Sequence, residues 1–413
     1  MKRTINMLQE FSVPLIAGVV FALVWANTNP EGYAHFLHYP IFGHDYTILG
    51  HEINFHFLMN DIFMVFFFGI AAVEITQSIL PGGSLNPISK AVNPLMGTLG
   101  GVVGPVGVFF LLCAVMPMDG ILTEGTLVDG VLTGGINMDS ILNGWGIPTA
   151  TDIALAWLVA RLVFGNSHPA VSYLLLLAVA DDAIGLGIIA IFYPDPNYPV
   201  EIYYLGLTVL GMIIAFALRK MNVKNMWIYL LTAGLLSWLG LIMAHLHPAL
   251  ALVFIIPFLP ADTNASHRHD QLFEDELQDH STLVHFEHRF KLIVDLGLLG
   301  FGIANAGVVF SNINSITWII LASLLVGKTL GITVLGYGAQ LIGFKLPDGM
   351  NLRTLILSGV VAALGLTVAL FVAGEAYTNP SLQGAAKMGA LFSGGAAIVA
   401  IVLGKIMKIE KIN

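Results

Sequence analysis

LLLLAVADDAIGLGIIAIF, residues 174–192, is apolar over a length that can cross a bilayer as a helix, and it carries Asp181 and Asp182 side by side. Two uncompensated carboxylates at bilayer depth are prohibitively costly, so these acids need a partner or a water-filled cavity. Successive helical residues diverge by about 100°, so one acid can turn to a partner while its neighbour faces a cavity. A partner stands in LASLLVGKTLGITVLG, residues 321–336, where Lys328 sits mid-segment. A third acid, Asp152, lies at comparable depth in GWGIPTATDIA, residues 144–154, a segment interrupted by Pro148, Thr149 and Thr151.

Composition agrees with a chain whose solvent is lipid. Its 413 residues have a mean hydropathy of +0.83 and only 10% charged side chains, which implies an all-α polytopic membrane protein. The formal charge of −9 resides in loops and helix interiors, and no nucleic-acid partner is expected. Cys113 is the single cysteine, which excludes an intramolecular disulfide and a multi-cysteine metal site. Lys2 and Arg3 followed by the apolar run from Phe11 to Ala26 have the outline of a signal peptide, but no small-x-small site follows. That segment reads as an uncleaved first helix.

Hydropathy predicts about twelve spans: 11–26, 59–80, 91–116, 147–162, 169–193, 201–218, 226–244, 248–260, 291–311, 317–343, 354–374 and 384–407. With the N-terminus in the cytoplasm, every Lys and Arg falls on the cytoplasmic side except Lys328, in the membrane, and Lys387, near the outer face. Losing one span would scatter those charges to both sides, so the positive-inside rule supports an even count and two cytoplasmic termini. Lys328 is then the one intramembrane cation expected.

The chain reads as a single transmembrane domain, 1–413. Its outer loop 27–58 has five His and no Lys or Arg, and IFGHDYTILGHEINFHF, residues 41–57, predicts a β-hairpin about Gly50. An inner loop, 261–289, holds seven acids and five His. Segments 91–193 and 317–407 begin on opposite sides, and their middle members, the fourth and eleventh spans, both carry mid-depth interruptions. In the eleventh the interruption is GVVAALGLTVA, residues 359–369. Two inverted three-helix repeats with broken helices would produce that pattern.

Burial raises carboxylate pKa values and a neighbouring ammonium lowers them, so the group of acids could exchange protons near neutral pH. Ionised carboxylates with carbonyls from a broken helix are also hard ligands suited to a small alkali cation. Protons and cation would compete for the same oxygens.

GIPTATDIALAW, LAVADDAIGLGIIAIFY, GFGIANAGV, LLVGKTLGI and GLTVALFVA, in this order and at these spacings, resemble the NhaA-type sodium/proton antiporter family from about Phe11 to Lys405. The resemblance implies that Asp182 is the main ligand of Na+ and Asp181 its partner in an ion pair with Lys328. It implies that Thr151 and Asp152 lie where two broken helices cross, with Asp152 and Lys328 offsetting the helix ends. It further implies two protons carried in for each Na+, or Li+, carried out across a bacterial inner membrane, with no cofactor. With Asp181, Asp182 and Lys328 as the site, the sodium-loaded and doubly protonated forms differ by one charge, so exchange would respond to voltage. The resemblance also makes the outer hairpin a means of pairing two copies into a homodimer.

Asp61 and Glu74 match acids of the family's second span and are candidate lining of a cytoplasmic funnel. The family usually follows the second of these with a charged cluster, whereas this chain has Ile75, Thr76, Gln77 and Ser78. His280, His285 and His288 of the inner loop are alternative pH sensors, because His charge changes between about pH 5 and 8. Asn305, among small residues, reads as glue between helices.

Other classes fit less well. An intramembrane aspartyl protease needs its acids on separate helices, one in a Gly-x-Gly-Asp context, and the chain has no such tetrapeptide. A retinal pump also pairs a Lys with an Asp, normally among seven helices. A cation or organic-anion symporter with a titratable Asp/Lys site is the alternative that spacing leaves open.

Overall fold

The computed structural model describes residues 13–43, 47–48, 51–81, 83–86, 88–118, 121–122, 126–128, 131–133, 135–194, 198–261 and 281–412. In chain order the main helices are α1 (Val13–Thr28), α2 (Phe55–Ile79), α3 (Ile88–Val115), α4 (Met138–Thr149), α5 (Ile153–Phe164), α6 (Pro169–Phe192), α7 (Ile202–Lys220), α8 (Met226–Met243), α9 (Thr282–Asn305), α10 (Ser315–Leu341), α11 (Leu352–Ala362), α12 (Thr367–Ala376) and α13 (Pro380–Ile406). Among the described residues seven helices are long and apolar enough to cross a membrane. The count is nine if the bent pairs α4–α5 and α11–α12 each form one span. Strand β1 (Thr47–Ile48) pairs with β2 (His51–Glu52) and β3 (Thr126–Val128) with β4 (Val131–Thr133), both antiparallel.

The chain divides into two compact units, with boundaries inside α3, inside α6 and after α9. The first comprises residues 1–91 and 186–307. Here α1 lies on α9 so closely that a Cβ on Gly18 would stand 2.3 Å from the Leu299 carbonyl oxygen. Small residues allow this, and close backbone approach is the main source of helix cohesion where the surroundings are as apolar as the side chains. Phe290 of α9 stacks on Phe66 of α2 at 4.7 Å and meets Trp227 of α8 edge-on at 5.9 Å. Asn60, in a π-helical stretch of α2, and Asn305, at the end of α9, are both buried. They exchange side-chain hydrogen bonds, the shorter being 2.8 Å from Asn305 Nδ2 to Asn60 Oδ1.

The second unit comprises residues 92–185 and 308–413. It holds α4, α5, α11 and α12, with α10 packed along α3. The break between α4 and α5 follows from the sequence. Pro148 has no N–H to donate, and residues Ala150 to Asp152 are non-helical until the Asp152 side chain caps α5. The break between α11 and α12 spans Ala363 to Leu366, and Gly365 is required there because a Cβ would lie 2.7 Å from the Ala150 carbonyl oxygen. The half-helices meet at 50° in the first pair and 52° in the second.

Three expectations need correction. Residues 248–260 form no helix of spanning length, only single turns at Pro248–Leu250 and Ile256–Phe258 joined by further turns. Pro257 interrupts the amide ladder, and the irregular backbone is tolerated because Ala249, Leu250, Ala251, Leu252, Ile255 and Ile256 are enclosed by protein. The helix expected from 291 starts at Thr282, so His285, Glu287 and His288 are helical and not part of a loop. Ser281 caps it, and Leu283, Phe286 and Phe290 bury one face. Lys387 is buried at 7% exposure within α13, so Lys328, expected to be the one intramembrane cation, is not the only cation held among the apolar helices.

Candidate functional site

α6 and α10 bring the acid pair to the lysine. Lys328 Nζ lies 2.8 Å from Asp181 Oδ2, with both side chains fully buried, and it donates a second hydrogen bond of 2.6 Å to the Thr149 carbonyl. Thr149 ends α4, so the ammonium offsets the negative end of that half-helix. The lysine stem runs past Gly101 of α3, where a Cβ would stand 3.7 Å from Lys328 Cε. Asp182 is the next residue on α6. It is partly exposed, and its charge acts on Lys328.

Asp152 serves two helices at once. Its Oδ1 accepts from the Leu155 amide at 3.1 Å, at the start of α5, and its Oδ2 accepts from the Thr367 hydroxyl at 3.0 Å and the Thr367 amide at 3.4 Å, at the start of α12. One carboxylate therefore faces two positive helix ends. The crossing is fastened by backbone as well. The Asp152 amide donates to the Leu364 carbonyl at 2.6 Å, and the Thr151 hydroxyl donates to the Ala362 carbonyl at 2.9 Å. Asp152, Thr151, Thr149, Asp181 and Lys328 are all buried in the second unit. A cation or a proton entering here meets carboxylate oxygens, a buried amine and polarised helix ends, with Asp182 the acid that is partly open.

The matching profile of this chain is that of the Na+/H+ antiporter 1 family, over residues 2–123 and 123–407. The chain belongs to this family. It is 57% identical to a Na+/H+ antiporter NhaA of Desulfitobacterium hafniense, over all of this chain and 98% of that protein. Identity is again 57%, over the full length of both, to a protein of the same name from Geobacter sulfurreducens. A third, from a Jannaschia species, is 40% identical over all of this chain and 99% of its own length. Proteins of this family are named as transporters and not as enzymes, and the helices described above make this member a multi-pass membrane protein.

The remaining sequence candidates lie in the first unit of this family member. Asp61 sits in the π-helical stretch of α2, where its carbonyl accepts from the Trp238 indole at 3.1 Å. Glu74 shares its surroundings with Lys291, Glu287 and Asp295 of α9. Gln77, which stands where the resemblance calls for a charged cluster, donates to Glu287 Oε2 at 2.7 Å, so a neutral amide holds that acid. His285 and His288 line a shallow pocket with Lys224, Trp227 and Arg289, whereas His280 lies outside the described residues. Asn305 joins two helices as its sequence context suggested, but its partner Asn60 and the burial of Lys387 were not foreseen. Partners 245 positions apart leave no local signature, while the small residues around Lys387 in GAAKMGA were a usable signal of close packing.

Proposed function

We propose that this chain exchanges Na+, or Li+, for protons across a bacterial inner membrane, by alternating access with both ions competing for the carboxylates of Asp181 and Asp182. The observation that carries this reading is the fully buried Lys328–Asp181 pair, with Asp182 beside it, at the crossing of two broken helices in a member of this family. A buried ion pair is weak evidence of stability alone, because desolvation offsets much of the attraction. A pair retained beside a partly open acid fits a site that must gain and lose charge. Asp182 is the main cation ligand, Asp181 its partner, and Lys328 the fixed or titrating countercharge. Thr151 and Asp152 hold the crossing. Asp61 and Glu74 are the candidate lining of a cytoplasmic funnel.

The proposal includes two protons moved in for each cation moved out, twelve spans with both termini cytoplasmic, and two inverted three-helix repeats. The bent pairs α4–α5 and α11–α12, so close in angle, support the repeats. It also includes a homodimer joined through the β1–β2 segment, whose pairing at Thr47–Glu52 and Ile48–His51 supplies strand edges.

The test is a sodium-dependent pH-gradient assay in everted vesicles. Asp182→Asn should abolish the sodium response while Asp61→Asn retains part of it, and full exchange by Asp182→Asn would move the cation site elsewhere. In proteoliposomes the reversal potential should shift with voltage as expected for one net charge per cycle; exchange indifferent to voltage would refute the two-to-one ratio.

A further inference from the structure

α6, which carries Asp181 and Asp182, begins at Pro169, and the residue before it is a buried histidine. His168 is 5% exposed and stacked on Phe164 with ring centroids 5.2 Å apart. Its Nδ1 accepts the amide hydrogen of Ala170 at 3.0 Å, so an imidazole does the work usually done by a Ser, Asp or Asn cap. An accepting Nδ1 requires the neutral ring with its proton on Nε2.

The same loop carries the C-terminal segment. The Ile412 amide donates to the Phe164 carbonyl at 2.9 Å, and the Ser167 amide donates to the Ile412 carbonyl at 2.9 Å. Gly165 lies between them with φ 88°, and a Cβ there would stand 2.5 Å from the Ile412 carbonyl oxygen. Phe164, to which the tail is tied, is the ring on which His168 stacks. The cap of α6 and the seat of the tail are therefore one assembly.

We infer that His168 is a proton-responsive positioning residue: neutral, it fixes the entry of the acid-bearing helix and seats the C-terminal segment, and protonated it releases both. Protonation would set an N–H against the Ala170 N–H and place a charge in a buried ring. The imidazole relieves both costs only by turning out to water, away from Phe164. This inference rests on the antiport reading of Asp181 and Asp182.

The direction with pH follows. Burial pushes the His168 imidazole below its ordinary value of 6.5. The released form takes up the proton more readily, so the docked form gains stability as pH rises from the depressed value to 6.5 and holds it above. Charged side chains on the surrounding elements are Arg161 on α5, Lys345 and Asp348 before α11, Arg353 on α11, and Lys408, Glu410 and Lys411 on the tail. All but Arg161 are exposed to solvent, and Arg161 is engaged with Asn166 at 2.7 Å and the Trp157 ring at 4.3 Å. Burial is the cause of the shift.

His168→Asn keeps a capping acceptor and removes the titration, whereas His168→Ala removes both. In the pH-gradient assay, His168→Asn should retain exchange about one pH unit further to the acid side than the parent, and His168→Ala should be impaired at every pH. In the parent, amides of Ala170, Ser167 and Ile412, corrected for intrinsic rate, should exchange with deuterium about fivefold faster at about pH 5.5 than at about pH 8, the population change a lost cap supports. Superimposable pH profiles for parent and His168→Asn, or parent amides insensitive to pH, would overturn the inference. Asp182→Asn run alongside separates the two failures, since retained exchange there defeats the antiport site and leaves the deuterium measurement to decide His168.

Discussion

Lys328→Met should unfold at a markedly lower temperature than the parent, with a loss of about 3–5 kcal/mol, the usual cost of stranding one member of a buried ion pair. Lys328 and Asp181 are both fully buried, and the ammonium also satisfies the Thr149 carbonyl, so the variant leaves a carboxylate and a helix end without their cation. Asp181→Asn on its own strands the ammonium and should cost a similar amount. The double variant removes both charges from the same place, and most of the loss should return. Thermal unfolding of the four proteins in detergent, taken as a double-mutant cycle, measures the coupling directly. Additive losses would mean that the 2.8 Å contact contributes nothing as a pair. The double variant should remain silent in sodium-dependent exchange even when its stability is restored. Exchange and stability then part company, as they must if the pair serves transport.

How much of this was legible in the sequence depends on what kind of signal each residue leaves. A charge among apolar residues is conspicuous, so Asp181, Asp182, Lys328 and Asp152 stood out, and the free-energy cost of burying them required that some be paired. Pro148 and Gly365 marked the two breaks for the reason the structure confirms: one cannot donate and the other admits no side chain. Hydropathy alone failed where it averages over geometry. It read 248–260 as a span because every residue there is apolar, but Pro257 forbids a continuous helix through the segment, and the irregular backbone is tolerated because protein encloses it. It started α9 late because His285, Glu287, His288 and Arg289 lowered the mean, although Ser281 followed by Leu283, Phe286 and Phe290 is a capped, amphipathic beginning. Side-chain partners far apart in sequence, such as Thr367 with Asp152, leave no pattern that a single chain can disclose.

The approach of α3 to α10 sets the position of Lys328, and it is built from glycines that admit no substitution. A Cβ on Gly331 would stand 1.9 Å from the Gly100 carbonyl oxygen, and one on Gly100 would stand 2.0 Å from the Gly331 carbonyl oxygen. These atoms belong to two helix backbones, so no side chain can rotate away and the helices must separate. Gly331→Ala should therefore lower the unfolding temperature strongly, by more than the roughly 1–3 kcal/mol of ordinary overpacking. It should also reduce sodium exchange, because Lys328 lies one helical turn away on the displaced segment. The same two helices contain their own controls. A Cβ on Gly338 of α10 or Gly107 of α3 meets nothing within 4 Å, so Gly338→Ala and Gly107→Ala should be neutral or stabilising by up to about 1 kcal/mol through helix propensity. Unfolding temperatures for the three single variants beside the parent give the comparison. If Gly331→Ala and Gly338→Ala melt alike, close backbone contact is not what holds α10 against α3, and the placement of the lysine opposite Asp181 must be credited to the ion pair itself.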